Sequence, residues 1–136
     1  MVERKVTYEE LTTGYEFPPA TLSLDKKLVT DYLNAVEDGN AIYDENKVVP
    51  PMAVAARAMI AMASAMVLPA GTIHVSQEVS FTNLAKVGEI LTSRARVSRR
   101  VERGKLHMLT ISIEVVNRDA TPVTTGETSF ILPYPA

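Results

Sequence analysis

At Gly71 the spacing of apolar positions changes from the helical spacing of the run before it to alternation. The longest apolar run, VPPMAVAARAMIAMASAMVL from Val49 to Leu68, is interrupted after Pro51 only by Arg57 and Ser64. A helix built from it has to be wrapped by other structure on most of its circumference. Pro50 and Pro51 suit a first helical turn, where a missing N–H costs nothing, and Pro69 and Gly71 set the stop. Alanines on several faces let neighbouring backbone approach, while Met52, Met59, Met62 and Met66 fill irregular gaps, as they do in a core or in a ligand cleft bordering one.

Before this helix, Val2 to Leu11 reads as an arm leading to Gly14, and Phe17-Pro18-Pro19 as a corner. Ala20 to Leu24 alternates weakly, as a short strand does. Asp25 or Ser23 then caps a helix with Leu28, Val29, Tyr32, Leu33 and Val36 on one face, ending near Asp38 and Gly39. A polar loop, Asn40 to Val48, follows. After Gly71 the residues become β-branched and aromatic. Thr72 to Phe81 places Ile73, Val75, Gln77, Val79 and Phe81 on one face, and His74, Ser76 and Glu78 on the other. Ile90 to Glu102 carries Leu91, Ala95, Val97 and Val101 on one side. Arg103-Gly104 turns the chain into Lys105 to Asn117, and Pro122 to Leu132 is the last strand. The pattern predicts an α+β fold, one domain over 1–136, with an antiparallel meander curled around the central helix.

Length and charge narrow the function classes. A chain of 136 residues has enough apolar content for a real core, and a net charge of −2 gives no argument for nucleic acid or a membrane surface. No cysteine is present, so disulfides and thiolate metal sites are excluded, and two histidines without suitably spaced carboxylates predict no metal site. The central run carries too central an arginine for a membrane span, and MVERKVTYEEL is too polar for a secretory signal, so a cytoplasmic protein is expected.

The phrases TYEELTTGYEF, VEDGNAIYDE, VPPMAV, VSQEVSF with VGEILTSRARV, and VTTGETSFIL, in this order over almost the whole chain, resemble the MaoC-like branch of the hotdog-fold superfamily. That resemblance implies a hotdog fold and a relation to (R)-specific enoyl-CoA hydratases and 3-hydroxyacyl-thioester dehydratases, which are hydro-lyases needing no cofactor. It implies an acyl-CoA or other acyl thioester as ligand. In that family a G-D-x-N-P-[IL]-H loop supplies an Asp and a His that activate water. Here Asp38, Asn40 and Ile42 match, but Tyr43 stands where the histidine is expected. A phenol titrating near 10 is a poor general base at neutral pH. The family glycine whose N–H helps hold the thioester oxyanion corresponds to Pro51, which has no N–H, leaving those of Met52 and Ala53.

These departures resemble the non-catalytic half of double-hotdog dehydratases, in which a partner brings the Asp and His. His74 resembles a histidine common in that sub-branch. The implied function is an acyl-thioester-binding protein with impaired or partner-dependent catalysis, as a homodimer or as a heterodimer with a catalytic hotdog subunit. The alternatives are an active hydratase using Asp38, and a purely structural subunit of a dehydratase complex. Candidate catalytic residues are Asp38, Asn40 and Tyr43, and candidate substrate-binding residues are Pro51, Met52, Ala53 and His74.

Each candidate has an ordinary structural reading as well. Asp38 beside Gly39 is common turn chemistry, Asn40 suits an exposed turn, and Tyr43 suits a core edge with its hydroxyl in water. His74 suits a satisfied strand position. Arg94, Arg96, Arg99, Arg100 and Arg103 could hold coenzyme A phosphates, pair with glutamates across the sheet, or stay solvated. The run from Met52 to Leu68 has no carboxylate, which argues against the thioesterase and carrier-protein dehydratase chemistries that place one there.

Overall fold

The computed structural model describes residues 5–37 and 47–133. Its elements are β1 (Val6–Thr7), a 3₁₀ turn (Tyr8–Glu10), β2 (Ala20–Ser23), α1 (Lys26–Ala35), β3 (Val48–Val49), α2 (Pro51–Ser64), β4 (Met66–Val67), β5 (Ile73–Phe81), β6 (Ala85–Lys86), β7 (Ile90–Arg103), β8 (Leu106–Val116) and β9 (Pro122–Leu132). Five strands form one antiparallel sheet in the order β2-β7-β8-β9-β5, with α2 against its inner face. Two short pairings, β1 with β4 and β3 with β6, tie the ends of α2 to the rest of the chain.

The helix starts where the prolines predict, with Pro51 at its first position, but it stops at Ser64 and not at Leu68. Ala65 caps it, and Met66 and Val67 pair in parallel with Val6 and Thr7. Good helix formers thus become a strand because the N-terminal arm offers backbone partners. Nor is α2 wrapped on most of its circumference. Ala53, Val54, Ala55, Ala58 and Met62 are buried, but Met52 is 48% and Ile60 54% exposed. On α1, Asp25 is the cap, its carboxylate accepting from the N–H of Leu28 at 2.8 Å, and Val29 is buried. Val36, expected on the apolar face, lies past the end of α1 and is 50% exposed.

Two bulges correct the predicted strand faces. One lies between His74 and Ser76, the other between Val97 and Arg99. Each shifts the side-chain alternation by one residue, so positions beyond it change face. Val101 pairs with Met108 on the outer face, away from Leu91, Ala95 and Val97. His74 pairs with Phe130 and Gln77 with Thr128, so His74, Gln77, Val79 and Phe81 share the helix-facing side, while Ile73 and Ser76 face outward.

The arm at Val2 to Leu11 is docked rather than loose over its described part. Tyr8 and Leu11 are buried. Tyr8 donates to Glu102 Oε1 at 2.9 Å, Arg100 donates to the same oxygen at 2.8 Å and to the Tyr8 carbonyl at 2.8 Å, and its guanidinium lies 3.9 Å from the Tyr8 ring centroid. Burial, then the bond to Glu102, pushes the Tyr8 phenol above its usual 10.0, and the bonds from Arg100 and Tyr8 hold Glu102 below its usual range. A raised phenol contributes stability below its ordinary value that is lost as pH rises through the folded one. A lowered carboxyl contributes stability that is lost as pH falls through its folded value. Melting temperature is therefore expected to fall on both flanks, with Tyr8→Phe making the alkaline fall shallower in a pH-scanned thermal melt. An unchanged alkaline limb in that variant would remove Tyr8 from the account.

Candidate functional site

Met59, Ile60, Met62 and Met66, from and just beyond the C-terminal half of α2, face His74 and Phe130 across an open, mainly apolar cleft of about 560 Å³. The methionines come from the helical spacing, and the strand residues from the bulge that turns His74 inward. His74 is held in place. Its Nε2 lies 2.6 Å from Thr128 Oγ1, its ring packs 5.1 Å from that of Phe130, and Thr128 is fully buried. The side chain is satisfied at one nitrogen and exposed at the cleft. Chemically the arrangement offers an apolar trough with one hydrogen-bonding ring at its rim. Among the described residues no cluster of histidine or carboxylate side chains could hold a metal.

A family profile described as "FAS1-like, dehydratase domain region" matches residues 11–126. The chain belongs to this family. Solved structures with the same fold include an R-hydratase, a MaoC-like dehydratase and a dehydratase complex. The unliganded R-hydratase PhaJ1 from Pseudomonas aeruginosa is 22% identical, with 95% of this chain and 86% of that one covered and a TM-score of 0.78. A MaoC-like dehydratase from Rhodospirillum rubrum is 16% identical, with 93% and 95% covered and a TM-score of 0.76. The C-terminally truncated HadBC (3R-hydroxyacyl-ACP dehydratase) complex from Mycobacterium tuberculosis is 16% identical, with 88% and 96% covered and a TM-score of 0.68. No curated protein sequence matches. The hotdog fold expected from the sequence is therefore the fold of this dehydratase-region chain.

The predicted site residues of this FAS1-like dehydratase region fall into three places. Asp38, Asn40 and Tyr43 lie outside the described residues. Pro51, Met52 and Ala53 form the first turn of α2. The N–H of Ala53 donates to the Pro50 carbonyl at 2.9 Å and the residue is buried, so that donor is already used; Met52 is the more exposed of the two. His74 faces the other half of the helix, roughly 15 Å along the axis at 1.5 Å per residue from Met52 to Met62. The described residues thus do not bring His74 and the first turn of α2 together.

The arginines divide. Arg100 is committed to Tyr8 and Glu102, whereas Arg94, Arg96 and Arg99 share the outer face of the sheet with Ser112, Glu114 and Thr110, their cross-strand partners. Among the described residues, those three make no ion pair within 4.0 Å. Sequence reasoning missed Thr124, Thr128 and Phe130, which line the helix-facing side of β9. Their even spacing, with Gly126, was readable, but which face of β9 is buried was not.

Proposed function

We propose that this chain is an acyl-thioester-binding hotdog subunit, related to the hydratases and dehydratases whose fold it shares, with catalysis that is impaired or depends on a partner. The observation that carries this reading is the methionine-lined cleft beside α2, in a chain with Tyr43 in the loop position where a proton-transferring histidine is expected. A trough of this size and lining suits an acyl chain. Pro51 at the first position of α2 supports the same reading, since it withholds an N–H from the place where an oxyanion donor is expected. The test is retention of a non-hydrolysable acyl-CoA thioether by the isolated chain in equilibrium dialysis. Failure to retain any such ligand would count for a purely structural subunit.

The partner is a second hotdog chain, either another copy or a catalytic subunit, and the surface offered to it is β5. This strand of 9 residues is an edge of the sheet, with Ile73 59%, Val75 45% and Phe81 43% exposed. A long apolar edge left unpaired invites aggregation and is normally covered or shared. Light scattering is expected to give the mass of a dimer for the chain alone or co-expressed with a catalytic hotdog protein, and Ile73→Lys with Phe81→Lys is expected to shift it to monomer. A monomer under both wild-type conditions counts against the pairing.

A further inference from the structure

The outer face of the sheet, turned away from α2, is laid out in cross-strand rows over β7-β8-β9-β5. One row reads Arg96, Ser112, Glu127, Glu78, and two rows along another reads Val101, Met108, Ile131, Ile73. The rows that begin at Arg99 and Arg94 end on Ser76 and Ser80. Positive charge thus lines β7, while acidic and hydroxyl groups line β9 and β5.

Within one chain this layout is left unresolved. Glu78 and Glu127 stand directly opposite each other, which is unfavourable because like charges repel. Arg96 has Glu16 and Ser112 as its cross-strand neighbours, yet among the described residues it makes no ion pair within 4.0 Å. Arg94, Arg96, Arg99, Glu78 and Glu127 are all exposed. They stand around open hollows of about 600 and 390 Å³, and in the apolar row Ile73 is 59% exposed.

We propose that this face docks on the same face of a second copy, about a two-fold axis parallel to the strands between β8 and β9. That axis sets β7 of one copy over β5 of the other, and β8 over β9. Arg96 then meets Glu78, Ser112 meets Glu127, Val101 meets Ile73 and Met108 meets Ile131. Arg94 and Arg99 meet the hydroxyls of Ser80 and Ser76, and no like charges coincide on the four strands. A second copy is the occupant because it carries the same pattern reversed, and a net charge of −2 gives little overall repulsion. Four strands about 4.8 Å apart, with the 11 residues of β8 at about 3.3 Å each, offer roughly 700 Å² per copy. A specific interface needs about 1,000 Å² over both copies.

This face is separate from the β5 edge and owes nothing to the acyl-thioester reading. One axis lies beyond β5 and the other between β8 and β9, so copies joined by both contacts extend without closing. With a different chain on β5, growth stops at two copies and two partners.

The experiment is sedimentation velocity of the full chain at about 10 mM and about 1 M sodium chloride, where charges are screened beyond roughly 30 Å and 3 Å. The β5 pairing sets the high-salt mass, and the low-salt mass is expected to exceed it about twofold or more. Arg96→Glu and Glu78→Arg are each expected to hold the high-salt mass at low salt, since each sets like charges together. An equimolar mixture of the two is expected to regain the larger mass, because opposite charges then meet at both contacts. Within one chain Arg96 and Glu78 lie roughly 14 Å apart at 4.8 Å per strand, so recovery on mixing arises between chains. It also shows that both variants are folded. A wild-type mass indifferent to salt, single variants that associate as the wild type does, or a mixture that fails to recover overturns the proposal. A monomer at high salt sinks the β5 pairing instead, and leaves the comparison between the two salts intact.

Discussion

Purified protein is expected to hydrate crotonyl-CoA slowly or not at all, about 10² to 10⁴-fold below a hydratase with an intact Asp-His pair, which is what a positioned general base contributes. Tyr43 is the reason, since a tyrosine is a poorer general base at neutral pH than the histidine expected in that position. The second contribution is at the start of α2. Pro51 has no N–H, and the N–H of Ala53 is bonded to Pro50, so an oxyanion there loses donors each worth roughly 3 kcal/mol of barrier. Asp38→Ala is therefore expected to leave the residual rate unchanged, and Tyr43→His to raise it. The check is loss of the enoyl absorbance with crotonyl-CoA for the three proteins side by side. Turnover at the rate of a competent hydratase, abolished by Asp38→Ala, would instead make this chain an active hydro-lyase.

Gly126→Ala is expected to cost the fold about 1–3 kcal/mol, the range for overpacking a tight site, and to lower the melting temperature by roughly 3–10 °C. A Cβ built at Gly126 stands 2.5 Å from the carbonyl oxygen of Glu78 and 3.6 Å from the Cα of Val79. Both are backbone atoms of β5, the paired neighbour, so relief requires moving a hydrogen-bonded strand and not rotating a side chain. The φ of Gly126 lies outside the left-handed region, so the effect isolates the close approach of two strands from conformational strain. Thermal melts of the two proteins settle the stability part, and an unchanged melting temperature would mean that the sheet is looser here than its geometry implies.

Much of the fold was legible in the sequence because it depends on local pattern. Double proline fixed the start of α2, Asp25 capped α1, Gly104 took the left-handed turn between β7 and β8, and β-branched alternation gave the three long strands of the meander. These features follow from backbone sterics and side-chain period, which act within a few residues. The misreadings share one cause. Bulges at Val75 and Ser98 leave no mark in composition, yet each reverses the face of everything beyond it, and so moved His74 inward and Val101 outward. The early end of α2 likewise depends on Val6 and Thr7, some sixty residues away in the chain.

The sequence by itself determined the types of the long elements, the hotdog family resemblance and the presence of Tyr43 in the loop before α2, since each is a matter of residue identity at a local position. Only the tertiary structure decided that His74 bonds a buried threonine beside a methionine cleft and that Arg100 locks the N-terminal arm. Those depend on register between strands distant in the chain, and register is set by the pairing of whole faces and not by any residue alone.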